Sequence, residues 1–314
     1  MLEPALETAV LVVEHLTHYR YAAPVDLAHH LGYLRPRDDG SQQVDDFALQ
    51  IHPAPLHERS GLDRLGNTRC CFTLSAPHRE LKVRAESCVR VTAAERFDAE
   101  TSLAWEAVAD RLRYVAGAAY LPASEFVFAS PFVPALPALR ELAAPSFTPG
   151  RSVAAAAIDL MARIHATFTY RSASTDVDTP LADVLVTREG VCQDFAHVMI
   201  GALRSMGIAA RYISGYLLTH APASGAQAAA AAPAAAPLLG ADASHAWVSV
   251  WCPMADGSPP RWLNLDPTNN LLPGTGHVRL AVGRDYSDVT PLRGVIRGGG
   301  EHRLEVRVRT QRLA

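Results

Sequence analysis

The sequence predicts an α+β protein of two domains, an antiparallel β-sandwich followed by a domain of mixed helices and strands. Three observations carry that expectation. Residues 10–92 alternate short β-like runs with turn signals, residues 152–206 hold two apolar stripes at helical spacing, and residues beyond 209 return to strand patterns. At 314 residues there is room for two modest cores. Alanine inflates the 49% apolar fraction, but Val, Leu, Ile and aromatic side chains remain ample.

The first domain is assigned to residues 1–92, with β-like runs over 10–21, 46–52, 68–74 and 81–91. In the last run Leu81, Val83, Ala85, Ser87, Val89 and Val91 face one way, while Lys82, Arg84, Glu86 and Arg90 face the other. Asp63-Arg64-Leu65-Gly66-Asn67 is a turn, and Arg35, Pro36 and Arg37 read as solvated loop charges. Residues 93–150 form a connector. It holds a helix over 103–114 and a Pro-rich stretch over 122–149, expected to drape over the second domain and help shape a cleft.

The second domain is assigned to residues 151–314. Val153, Ala157, Leu160, Met161, Ile164 and Phe168 mark its first helix. Phe195, Val198, Met199, Ala202, Leu203 and Met206 mark the next, which stops at Gly207. A strand follows over 209–218. The insertion 221–241 is mostly Ala and Pro without charge, and Pro222, Pro233 and Pro237 break its helix propensity, so it reads as a flexible surface loop. Strands at 244–251 and 262–268 flank an Asp256-Gly257 turn and predict a hairpin. Runs at 278–283, 289–297 and 304–308 continue the β pattern, the last as an edge or half-buried strand.

The chemistry gathers at the start of the second helix, in Arg188-Glu189-Gly190-Val191-Cys192-Gln193-Asp194. Gly190 ends a loop, so Cys192 falls in the first helical turn. There the unpaired N–H groups and the helix dipole favour a thiolate and can hold an oxyanion. His245 opens one strand of the predicted hairpin and Asp266 closes the other. Both lie nearly equidistant from Asp256, which sets them opposite or diagonal to each other. Cys192, His245 and Asp266 are therefore the candidate catalytic residues, as nucleophile, base and orienting acid. Gln193, Trp247 and Asn264 are candidates for substrate binding or the oxyanion site. Trp247 either walls a cleft or packs the core. His197 lies about 140° around the helix from Cys192 and is read as structural. Cys252 has no base nearby in sequence and is the weaker nucleophile. A zinc ion on Cys192, His245 and Asp266 would be the metal version of this geometry, but no local ligand pair supports it, so no metal or other cofactor is expected.

The run GVCQDFAH, the SHAWV strand and the LDPTNN segment, in that order, resemble the transglutaminase-like core found in many bacterial proteins. EHLTHYRYAAPV, LRPR and DRLGN resemble the small all-β domain that precedes this core in one bacterial subfamily. The resemblance covers roughly residues 10–90 and 150–310. It implies a papain-like thiol fold with Cys, His and Asp in the chain order seen here. It leaves the reaction open, since such families include cross-linking transferases, amide hydrolases and peptidases.

A formal net charge of −3 points neither to nucleic acid nor to an anionic membrane surface. The first apolar run lacks a cationic leader, so no signal peptide is expected. Five cysteines without a CxxC pair suggest reduced thiols in the cytoplasm. The expected partner is a protein or peptide substrate, and the expected reaction is amide hydrolysis through an acyl-enzyme. Transfer of the acyl group to an amine is the alternative within the same chemistry. A catalytically inactive binding scaffold is the alternative outside it.

Overall fold

The computed structural model describes residues 6–95, 97–172, 178–219, 238–240 and 244–313. Its first sheet is built on one long strand, β1 (Thr8–Gly32), flanked by β2 (Gln42–His52), β3 (His57–Leu62), β4 (Thr68–Leu74) and β5 (His78–Thr92). Residues 8–20 of β1 pair with β5, and residues 28–32 pair with β4. Between them the register slips, at Tyr21-Ala22-Ala23-Pro24. Pro24 has no N–H to give to a ladder, so the strand bends there and changes partners. The sheet folds into two leaves around one core that holds Leu81, Val83 and Ala85 of β5 with Phe72 and Leu74 of β4. The alternation expected for 81–91 is the one observed.

The connector carries α1 (Trp105–Leu112), a 3-10 turn at Pro122–Val127 and α2 (Pro137–Ala143). It then gives way to α3 (Val153–Thr167), capped by Ser152, whose Oγ accepts from Ala155 N–H at 3.3 Å. A short parallel pair, β6 (Thr169–Tyr170) and β7 (Glu189–Gly190), brackets α4 (Leu181–Thr187) and delivers the chain to α5 (Cys192–Ser205). Every residue of α5 except Gln193 and Ser205 is buried. The Pro-rich stretch does drape over this domain, with α2 against α5 and Leu139 fully buried.

The second sheet is antiparallel, in the order β10 (Arg261–Leu265), β9 (His245–Cys252), β8 (Ala210–Leu217), β11 (His277–Gly283). α5 packs on β8 and β9. A short α6 (Tyr286–Val289) leads to β12 (Leu292–Gly298) and β13 (His302–Arg312). Here the expected division of the chain is corrected. β12 and β13 do not belong to the core assigned to 151–314; they return to the first sheet and pair with the two halves of β1. The bend in β1 leaves both halves with an open edge, and the chain's last strands fill it. The first sheet also abuts the second: Leu11, Val13, Val89 and Val91 pack with Tyr216, Val278 and Leu280. The insertion expected as a loop over 221–241 lies outside the described residues except for 238–240. Among the described residues no helix is long and apolar enough to cross a membrane.

Candidate active site

The start of α5 is fixed by its own sequence. Val191 precedes the helix and has no side chain able to cap it, so Asp194, three residues on, reaches back and accepts Val191 N–H at 2.8 Å. A Cβ on residue 190 would lie 2.7 Å from that carboxylate group, and Gly190 is what lets the loop pass so close. Cys192 takes the first helical position, where its N–H has no carbonyl four residues back to bond. The thiol is almost buried, with Sγ 3.9 Å from Ser244 O.

His245 arrives from the first residue of β9 and Asp266 from just beyond β10. The observed register pairs Leu265 with Val248; continued one place, it sets Asp266 opposite Trp247 and diagonal to His245. Both side chains are sealed from solvent. His245 donates from Nε2 to Asp266 Oδ2 at 2.9 Å. Its Nδ1 has no hydrogen-bond partner among the described residues. Burial works against protonation of this ring, but the Asp266 carboxylate and the Cys192 sulfur outweigh it and raise the pKa to about 10. Asp266 is held well below the usual carboxylate range: burial opposes its charge, and the facing imidazoles together with the donors they present overcome that cost.

Asp266 has more partners than the sequence suggested. Oδ1 accepts from Thr268 N–H at 3.0 Å and Asn269 N–H at 3.1 Å. Oδ2 accepts from Asn269 Nδ2 at 2.9 Å and from a second imidazole, His277 Nε2, at 3.3 Å. Asn269 is thus a direct partner of the acid, and its Oδ1 also takes Leu239 N–H at 2.9 Å. His277 was missed altogether. Its one signal was a histidine at the start of a β run, and nothing local said which strand that run would join.

The other candidates divide. Gln193 is half-buried in the first turn beside Cys192. Trp247 is fully buried and packs with Ile213 and Val282, so it backs the histidines rather than walling a cleft. Asn264 pairs across the sheet with Ser249, and among the described residues no hydrogen bond joins it to Asp266 or His245. It lies two places before Asp266, on the strand face that Ser249 shares with Trp247 and His245. His197 accepts Tyr286 N–H at Nε2, 3.2 Å away, and lies against Phe132 and Tyr212. Burial pushes its pKa down to about 3. A neutral ring used as an acceptor is a structural part. Cys252 is buried, which pushes its thiol up to about 12 and leaves it a poor nucleophile. Among the described residues no group of three His, Cys, Asp or Glu side chains is arranged to hold a metal ion.

The family model described as the bacterial transglutaminase-like N-terminal region matches residues 11–90, and that of the transglutaminase-like superfamily matches residues 140–267. A protein of Mycobacterium tuberculosis is 39% identical over 293 residues, which cover 92% of this chain and 88% of that one. The chain belongs to the transglutaminase-like family. A Mycobacterium leprae relative is 33% identical over 309 residues, covering 96% of this chain and 98% of its own. Among solved structures, a candidate cysteine protease of Cytophaga hutchinsonii superposes with a TM-score of 0.72 over 98% of this chain and 92% of its own, at 20% identity. That likeness speaks for the fold: a papain-like, transglutaminase-like core combined with an antiparallel N-terminal sheet. It is the fold of a family of thiol enzymes.

Proposed function

We propose that the protein is a Cys-His-Asp thiol enzyme that hydrolyses amide or peptide bonds through an acyl-enzyme. One observation carries the reading. A fully buried imidazole is hydrogen-bonded to a buried carboxylate, and lies near enough to a helix-terminal thiol for that sulfur to raise its pKa. A buried imidazolium is costly unless an anion accompanies it, and here the Asp266 carboxylate accepts from Nε2 at 2.9 Å.

In the first half-reaction the Cys192 thiolate attacks the carbonyl carbon, a C–S bond forms and the carbonyl electrons move onto oxygen. The Cys192 N–H supports that oxyanion. As the electrons return, the C–N bond breaks and the His245 imidazolium gives its proton to the departing amine. In the second half, water attacks the thioester while His245 takes a proton from it. The acid leaves, and the thiolate–imidazolium pair is restored. Asp266 holds the ring in one tautomer throughout and does not itself change protonation.

The test is mass spectrometry of the intact protein and of products, with a glutaminyl peptide library as substrate, with and without an added primary amine. An acyl adduct on Cys192, absent in Cys192→Ala, together with a free-acid product supports hydrolysis. An amine-linked product formed in preference to acid would assign transamidation instead. No adduct on any substrate, with Cys192 no more reactive towards iodoacetamide than Cys71, would overturn both and leave a binding scaffold.

A further inference from the structure

The carboxylate of Asp266 serves two imidazoles, and the reaction proposed above uses only one. We propose that His277 is a positioning residue: its Nε2–H holds Asp266 Oδ2 from the opposite side of the sheet to β10, fixing the carboxylate for His245 and drawing off part of its charge. The inference rests on the reading of Cys192, His245 and Asp266 as a catalytic set.

The reach of His277 is built into the sheet. β11 is separated from β9 by β8, so a side chain on β11 must pass over β8 to meet Asp266. In the register His245 stands opposite Gly215 and His277 opposite Leu217, which puts both imidazoles on one face. A Cβ at Gly215 would lie 2.3 Å from Trp247 Cη2 and 2.2 Å from Val278 O. Glycine there leaves the place that the Trp247 indole occupies. That ring meets His277 edge-on, with centroids 5.4 Å apart, and lies closer to parallel with His245 at 6.1 Å. One aromatic wedge therefore supports both histidines.

Chemistry narrows the role further. His277 is 4% exposed, and a buried imidazole without a partner would be costly. Its partner is a carboxylate that only accepts, so Nε2 must carry the proton. The charged and titratable groups facing it are Asp266 and His245 across the sheet and Arg279 on its own strand. Burial lowers its pKa; Asp266 pulls the other way, and His245 and Arg279 oppose a second cation beside them. His277 is thus a neutral donor with a fixed tautomer. A neutral donor spreads the charge of Asp266 and loosens its hold on the His245 proton. That matters because His245 must give the proton up to the leaving amine in every cycle.

The experiment is the pH dependence of Cys192 alkylation by iodoacetamide, read by peptide mass on the full chain, between about pH 5 and 11. The wild type should show a lower step, where the thiolate–imidazolium pair forms, and an upper step, where His245 loses its proton. His277→Phe fills the site without a donor and should move the upper step up by about one pH unit, the worth of one hydrogen bond to a charged group. His277→Gln keeps a donor and should return it to the wild-type position. Phe and Gln variants with superimposable profiles, both folded by circular dichroism, would overturn the proposal. Imidazole 15N resonances of the wild type give a second reading that does not depend on how His277→Phe folds. A neutral Nε2–H tautomer at His277 throughout the plateau is expected, and an imidazolium or an Nδ1–H tautomer there would overturn it. A wild type with no upper step, or one that His245→Ala leaves in place, would instead sink the catalytic reading itself.

Discussion

His245 and His277 meet the same oxygen of Asp266 at 2.9 Å and 3.3 Å, yet they come to it by different routes and end in different states. His245 rides on β9, hydrogen-bonded to the strand that ends just before Asp266, so a single hairpin within one core sets their distance. His277 rides on β11, the outer strand of the same sheet, and β11 is finished by the other sheet. The Gln42 amide donates to Arg279 O at 2.8 Å and accepts Arg279 N–H at 2.7 Å. The Asn67 amide does the same for Val282, at 2.8 Å in both directions. Two side-chain amides stand in for a missing neighbour strand and satisfy an edge that would otherwise be open. The charged histidine is thus held locally, and the neutral one is held from far along the chain. Damage to the hairpin should cost chemistry, and damage to the brace should cost position and stability.

The largest effect is expected where both routes converge. Asp266→Ala removes the acceptor of His245, His277, Asn269 and two backbone N–H groups together. Loss of the orienting acid should lower Cys192-dependent turnover by about 10³-fold or more. Stranding buried donors should cost about 3–5 kcal/mol in urea unfolding. Asp266→Asn keeps the shape but turns one of two accepting oxygens into a donor, and should recover only part of the stability and little of the rate. If Asp266→Ala proves no slower than His277→Phe, the two histidines are not the unequal pair described above.

Gly215→Ala comes next, because it strikes the point between the routes. The new methyl cannot coexist with the Trp247 ring and Val278 O where they stand. A loss of about 3 kcal/mol is expected, as for an overpacked core. The Trp247→Phe, Gly215→Ala double variant should recover part of it, measured as a non-additive cycle. Purely additive losses would mean that the wedge does not link the histidines.

These two tests mark what was legible in the sequence. The positions of Cys192, His245 and Asp266 could be read because each sits at the end of an element with a local signature: a loop glycine before a helical stripe, and a turn between two strand patterns. Trp247 was half-read, since alternation names a face but not what covers it. Asn264 has the face that counting by twos gives it, but a shared face is not a contact. His277, β12 and β13 were not legible at all. Each depends on a pairing between distant segments, with β13 and β12 joining β1 on either side of the register slip before Val25. Gln42 and Asn67 read as ordinary polar residues until an unpaired edge stands opposite them.

The brace is tested by Asn67→Ala and Gln42→Ala. Asn67→Ala strands the Val282 N–H and C=O and also loses the bond from Arg37 Nη1 at 2.5 Å, whereas Gln42→Ala strands the Arg279 N–H but leaves Arg279 O its bond from Arg37 N–H at 3.1 Å. Asn67→Ala should cost about 2–3 kcal/mol, and Gln42→Ala, nearer the strand's outer turn, about 1–2 kcal/mol. Hydrogen exchange discriminates better than the totals. In Asn67→Ala the Val282 amide should lose protection, while Val248 and Val250 on β9 keep theirs. Equal loss on β9 and β11 would show that the sheet opens as one unit and that the two routes are not separable.

The effect confined to a narrow pH window is in the pH dependence of stability, where buried histidines should act in opposite directions. The folded pKa of His245 is raised to about 10 from an unfolded value near 6.5, as burial is outweighed by Asp266 and Cys192. Its contribution is full below about pH 6.5 and fades as pH rises towards 10. Burial lowers His197 to about 3 and His15 to about 4. Their contributions are full above about pH 6.5 and fade as pH falls towards those values, because the unfolded chain then takes up protons that the fold refuses. His197→Gln keeps an acceptor for Tyr286 N–H but cannot titrate. Between pH 7 and 5 the wild type should lose about 2 kcal/mol more than this variant, and above pH 7 the two curves should run parallel. A variant that tracks the wild type down to pH 5 would mean that His197 takes up its proton without leaving the fold. The neutral, acceptor state assigned to that ring would then be wrong.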